Sequence, residues 1–169
     1  SLEKIRRHNY YAAIFSKAMR RRWPQRAYIG LYSGAGKARI SGTDQVVETS
    51  ALSVLRQEVP FTKYVFVDSD ARCISALKSR ADAIGRDLDI SYICAEVNSA
   101  VAEIREVMPR YSKDQGLLSL CFADPFRVDF QFDVIRELGS SYLMDFLVML
   151  PLGYDVRRNI TRYLTQTDD

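Results

Sequence analysis

The feature that most limits what this chain can become is a repeated alternation. Short runs that are apolar almost throughout are separated by stretches of helical character. Residues 27–32, Tyr64-Val65-Phe66-Val67, and residues 90–94, 116–122 and 146–150 read as strands. Strands without polar alternation are those covered on both faces. Helices read over about 48–58, 71–84, 99–107 and 132–138, closed by Pro60, Gly85, Pro109 and Gly139. A turn at Pro151-Leu152-Gly153 leads into a last helix. Ahead of the first strand, residues 2–22 carry Leu2, Ile5, Ala12, Phe15 and Met19 near a 3.6-residue period, and Pro24 ends that helix. A helix followed by β-α repeated five times predicts an α/β fold: a doubly wound, Rossmann-like, mostly parallel sheet in a single domain. Residues 1–26 form its basic amino-terminal helix, and 27–169 its α/β body.

In such sheets ligands gather at the carboxyl ends of the strands. The polar residues of this chain fall there: Ser33-Gly34-Ala35-Gly36 after the first strand, Asp68 after the second, Glu96 and Asn98 after the third, Asp124 after the fourth. Glycine lets a backbone turn sharply and approach a ligand closely. A phosphate-cradling P-loop would need glycine at Leu31 and a hydroxyl residue at Ala38, so Gly36-Lys37 is not one. A dinucleotide loop would need a small residue at Arg39, an immediate helix and an acid about 20 residues on, whereas the acid here, Asp68, comes later and the helix starts late. A methyltransferase loop tolerates both departures, because its ligand has no pyrophosphate to cradle. At a strand end the Asp68 carboxylate can accept both hydroxyls of a ribose; alternatively it caps the next helix, a task Ser69 or Asp70 could also perform. Glu96 and Asn98 could reach an adenine amino group, or Asn98 could cap the helix that follows.

Charge and cysteine usage narrow the function classes. The 169 residues carry a net charge of +3, but residues 1–26 hold eight basic residues, Arg20-Arg21-Arg22 among them, against Glu3 alone. A basic arm on a slightly acidic body suits a polyanion such as nucleic acid, or it is a solvated helix face. Cys73, Cys94 and Cys121 form no CxxC pair. They read as buried thiols of a reducing, cytoplasmic compartment. With His8 the sole histidine, a structural zinc site is not expected, and a histidine triad could run only through His8. The longest apolar run, residues 146–152, is too short to span a bilayer, and the charged start of the chain has no secretion-signal core.

Taken together, residues 28–36, Val65-Phe66-Val67-Asp68, Ala95-Glu96-Val97-Asn98, Phe122-Ala123-Asp124-Pro125-Phe126, and Leu147-Val148-Met149-Leu150-Pro151 with Arg158-Asn159 resemble the bacterial three-Cys-motif partner proteins. The resemblance runs from the first helix to Asn159. It implies a class I methyltransferase fold using S-adenosylmethionine (SAM), with Ser33, Gly34, Ala35, Gly36, Asp68, Glu96 and Asn98 around that cofactor. It also implies a protein partner. The chain departs from the family in having Gly30 where an acid commonly holds the amino-acid end of SAM, and in stopping before the last two strands. Asp124-Pro125-Phe126 loosely resembles the Asp-Pro-Pro-Tyr motif of amino-methyltransferases, in which the acid accepts from the target amine and the ring stacks on the base; it would otherwise be a strand-end turn. The expectation is a SAM-dependent methyltransferase acting on nucleic acid, with Arg20, Arg21 and Arg22 holding the backbone, or else a non-catalytic module of that fold working through a partner.

Overall fold

A computed structural model describes residues 2–40, 42–110, 116–125 and 130–150. Helix α1 (Leu2–Met19) precedes β1 (Gln25–Leu31), the small strands β2 (Lys37–Arg39) and β3 (Val46–Glu48), and helix α2 (Ser50–Val54). Then come β4 (Lys63–Asp68), α3 (Ala71–Asp82), β5 (Ile90–Cys94), a 3-10 turn at Val97–Ser99, α4 (Val101–Val107), β6 (Leu117–Ala123), α5 (Phe132–Ser141) and β7 (Leu143–Val148). Five strands form one all-parallel sheet in the order β5-β4-β1-β6-β7. The chain winds outward from β1 through β4 to β5, then returns to the far side of β1 for β6 and β7. The order therefore reverses between β1 and β6, which is where such sheets open a crevice.

Both faces of the three inner strands, β4, β1 and β6, are packed, which is why those strands have no polar alternation. On one face Tyr28, Tyr64, Phe66, Leu120 and Phe122 meet Ala12 and Phe15 of α1, Leu52 of α2 and Leu77 of α3. On the other, Ile29, Leu31, Val65, Val67 and Cys121 meet Ile104 of α4 and Val134 and Leu138 of α5. Truncating any of the fully buried large side chains, Leu120 for instance, would cost about 2–5 kcal/mol through lost burial and the cavity left behind.

Several expectations change. The basic amino-terminal segment is no arm. Helix α1 lies on the sheet with His8, Ala12, Phe15 and Ser16 buried, while Leu2, expected on the apolar stripe, is exposed. The stretch after Gly36, expected to run as loop to Gln45 with a helix from about Glu48, closes instead into an antiparallel hairpin over residues 37–48. Its strands are three residues long, and β2 is exposed throughout, so no apolar pattern announced it. Helix α2 ends at Val54 instead of near 58: the next residues turn with three-residue spacing, Arg56 N–H donating to Ser53 and Gln57 N–H to Val54, and the Arg86 guanidinium takes the carbonyls of Leu55 and Gln57, each at 2.8 Å. Strand β7 starts at Leu143, ahead of its apolar stretch, and alternates exposed with half-buried residues. Of the cysteines expected to be buried, Cys121 is, Cys73 is half-buried, and Cys94 is exposed at the outer edge of the sheet. The turn at residues 151–153, the final helix and Arg158-Asn159 lie outside the described residues.

Candidate functional site at the strand ends

The crevice is built around the loop after β1. Register puts Leu31 beside Val67 of β4 and Ala123 of β6, so the residues that follow all three strands emerge at one edge. Tyr32 takes a left-handed backbone (φ 57°), unusual for a residue with a side chain. Ser33 is buried and turned inward, its N–H and its hydroxyl both donating to the Val67 carbonyl at 3.1 and 3.0 Å. Gly34 has φ +61°, and the place a Cβ would occupy is open space. Gly36 has φ +80°, and a Cβ there would stand 2.8 Å from Leu77 Cδ1. Ala35 offers its carbonyl to the Arg80 guanidinium. The sequence signal of two glycines thus resolves into two jobs: Gly36 seats the loop on the core, and Gly34 presents bare backbone to the crevice.

Asp68 ties this loop to its neighbour. Its Oδ2 accepts from the Gly34 N–H at 2.8 Å and its Oδ1 from the Asp70 N–H at 3.0 Å. The alternative task of capping α3 falls to Asp70, whose carboxylate accepts from the Arg72 N–H at 2.8 Å. Each carboxylate oxygen has two acceptor sites, so Asp68 keeps one per oxygen for a ligand. On the next strand Glu96 is exposed. Asn98 does not cap α4, which begins behind Ala100 without a side-chain cap; its Oδ1 accepts from the Gln131 N–H at 3.1 Å and so fastens this edge to the segment before α5.

Across β1, Asp124 directly follows β6, one residue beyond the Ala123–Leu31 pair. It lies two strand spacings from Asp68, roughly 10 Å across the sheet. Its carboxylate holds Lys4 Nζ at 2.6 Å, with both side chains about one-third exposed. Pro125 is buried, and Phe126 lies outside the described residues. Beside them Tyr32 meets Phe130 edge-on, ring centroids 6.0 Å apart.

Beneath Lys4 lies a polar chain that the sequence did not reveal. His8 is wholly buried, its ring 4.3 Å from that of Phe122. Nδ1 lies 2.9 Å from Asn9 Oδ1, and Nε2 lies 2.7 Å from Tyr28 Oη. Because Asn9 Oδ1 can only accept, Nδ1 carries the hydrogen and Nε2 accepts from Tyr28. Burial pushes the imidazole pKa down to about 4, against smaller opposing effects of Asn9 and the Asp124 charge. The one available signal was its spacing: His8 falls on the stripe of Ala12 and Phe15, four residues after Lys4.

Gly30, where the family resemblance would place an acid, is part of the aromatic face. A Cβ there would come within 3.0 Å of Phe66 Cδ1 and 3.3 Å of Tyr28 Cε1. The room an acid would need is filled by rings. Arg20, Arg21 and Arg22 are exposed in the turn after α1. Since α1 starts at Asp124 and ends before β1, its 18 residues carry that triplet about 27 Å away, to the opposite edge of the sheet. The structure therefore brings Ser33–Gly36, Asp68 and Asp124 together and leaves the arginines apart. A cleft of about 340 Å³, lined by Leu117, residues 139–141, Tyr142 and Leu143, also lies at that far edge, away from both carboxylates. No group of three or more possible metal ligands occurs among the described residues, and no helix there is long and apolar enough to cross a membrane.

The strand order and the switch-point crevice define a doubly wound, Rossmann-like α/β domain. No protein-family model matches the chain, and no curated protein sequence does. Among solved structures, a hypothetical protein of Thermus thermophilus is similar over 85% of this chain and 77% of its own, at 17% identity and a TM-score of 0.49. A methyltransferase from Geobacter sulfurreducens is similar over 94% and 68%, at 12% identity and a TM-score of 0.48.

Proposed function

We propose that this chain is a SAM-dependent methyltransferase that presents an acceptor amino group to Asp124, with nucleic acid as the acceptor class. One observation carries the choice of cofactor. The helix after the glycine loop does not begin until Ser50, with the hairpin of β2 and β3 in between. A dinucleotide would lack the helix N-terminus that its pyrophosphate requires, whereas SAM has no pyrophosphate. The chain's residues suit SAM in other respects. Gly34 leaves open space beside bare backbone, and Asp68 retains acceptor sites for two ribose hydroxyls. Glu96 and Asn98 flank the neighbouring strand end. Ser33, Ala35 and Gly36 act by shaping the loop. SAM supplies an electrophilic methyl on a sulfonium. The protein's part is to orient the acceptor and exclude water, with Asp124 accepting from the amine and Pro125 fixing its backbone.

The likeness to three-Cys-motif partner proteins belongs to this proposal, as does a protein partner. A non-catalytic module is the second reading, favoured by the aromatic filling at Gly30 and by Lys4 at Asp124. Transfer from labelled SAM to DNA, RNA and protein extracts separates the two. An enzyme yields label, and Asp124→Asn lowers the rate by about 10²–10⁴-fold while SAM affinity holds. No transfer to any acceptor supports the module.

A further inference from the structure

We propose that Lys4 is itself a methyl acceptor, so that the chain methylates its own first helix. The inference rests on the methyltransferase reading above and adds a substrate to it: the ε-amine of a lysine. The observation behind it is which amine Asp124 already holds. Lys4 and Asp124 are 120 positions apart in sequence, yet Nζ and Oδ1 are 2.6 Å apart. A contact of that range is set by the fold. Helix α1 is pinned along the sheet by Ala12 and Phe15, and by His8 bonded to Tyr28 one turn beyond Lys4. Lys4 is thereby presented to the strand ends on a fixed helix.

The other charged groups of α1 do different work. Arg6 and Arg7 both pair with Glu3 on the outer surface, at 3.0 and 2.8 Å, and Lys17 is exposed near the far end. Lys63 also meets an aspartate, Asp89, at 2.7 Å, but it does so at the start of β4, on the opposite edge of the sheet. Among the described lysines, Lys4 is paired to a carboxylate that directly follows a strand at the switch point. A surface ion pair of this exposure contributes little to stability, so holding the fold together is a weak reason for it. Both side chains keep about a third of their surface in water, so the ammonium can shed a proton through Asp124 to solvent.

The balance of the step is simple. The Lys4 ammonium releases one proton, relayed by Asp124 to water. The freed Nζ lone pair forms the N–CH₃ bond as the S–CH₃ bond of the sulfonium breaks, and that bonding pair stays on sulfur. Nζ ends as a methylammonium and the donor as a neutral thioether, so the net product besides these is one proton. SAM is the sole co-reactant.

The test uses the purified chain and SAM, with no added acceptor, and peptide mass spectrometry to place any methyl. The expected result is a gain of one CH₂ on Lys4, absent from Asp124→Asn and Lys4→Arg, with Lys17 and Lys63 unmodified. Arginine at position 4 keeps the charge pair and so preserves the fold. A second readout needs no transfer: the demethylated thioether product should slow acylation of the Lys4 amine by an amine-reactive ester several-fold, leaving Lys17 unchanged. SAM affinity is measured by calorimetry on the same preparation. If SAM binds and Lys4 stays unmethylated, or if all lysines gain methyl alike, the inference is overturned while the methyltransferase reading stands. If SAM does not bind, the reading itself fails and the inference falls with it.

Discussion

His8 makes stability depend on pH in a way that can be worked from the structure. The ring is wholly buried, and its pKa is pushed from 6.5 down to about 4 by that burial. The neutral ring is the one that fits: Nε2 accepts from Tyr28 Oη, a bond that protonation would abolish. In the unfolded chain the imidazole takes up a proton near its ordinary 6.5; the folded protein resists until about 4. The unfolded state therefore binds more protons throughout that window, and stability must fall as pH falls through it. A difference of some 2.5 units corresponds to about 3 kcal/mol, fully present above 6.5 and lost by about pH 4. Carboxylates titrate at the lower end of the same window, so the measurement has to be differential. Urea unfolding of the unmodified chain and of His8→Gln at pH 7 and pH 4.5 supplies the comparison. The variant is expected to start about 1–3 kcal/mol less stable, because Tyr28 and Asn9 lose a fitted partner. It should then lose about 2–3 kcal/mol less on acidification. Parallel losses in the two proteins would refute the buried, neutral histidine.

The glycine loop gives a paired prediction. Gly36→Ala combines a left-handed backbone with a Cβ against buried Leu77, for about 2–4 kcal/mol in urea unfolding. Gly34→Ala meets no neighbour and should cost only about 1–2 kcal/mol; equal losses would contradict the two roles. Replacing Arg20, Arg21 and Arg22 with Ser should flatten the log–log salt dependence of nucleic-acid binding by roughly 2–3 units. Because the triplet lies at the far edge of the sheet, SAM affinity measured on that variant should not move. An unmodified chain with no salt response would reduce the triplet to a solvated turn.

The fold was legible because strands buried on both faces leave a strong mark: Tyr64 to Val67 is a continuous apolar run and lies wholly buried in a central parallel strand, and Ile90 to Cys94, apolar but for Ser91, forms the parallel strand beside it. The hairpin over 37–48 was not legible, since its pairing rests on backbone bonds between residues that face water. The start of strand β7 leaves no such mark, because Leu143 and Asp145 face outward beside a half-covered sheet. At the site, Asp68 and the glycine loop could be placed by register alone. Lys4 could not be joined to Asp124, nor His8 to Tyr28, from the sequence, because both contacts depend on which face of the sheet α1 crosses and in which direction. For the same reason the basic segment, a single block of charge in sequence, divides between two edges. Lys4 goes to the crevice and Arg20, Arg21 and Arg22 to the opposite side.

The most direct measurement is a calorimetric titration of SAM, of its demethylated product and of NAD into the unmodified chain and into Asp68→Ala. SAM and its product are expected to bind and NAD is not. The substitution should weaken SAM by about 1.5–3 kcal/mol, the worth of hydrogen bonds to a charged acceptor. Binding of NAD in place of SAM, or SAM affinity untouched by the loss of the Asp68 carboxylate, would contradict the proposed SAM site.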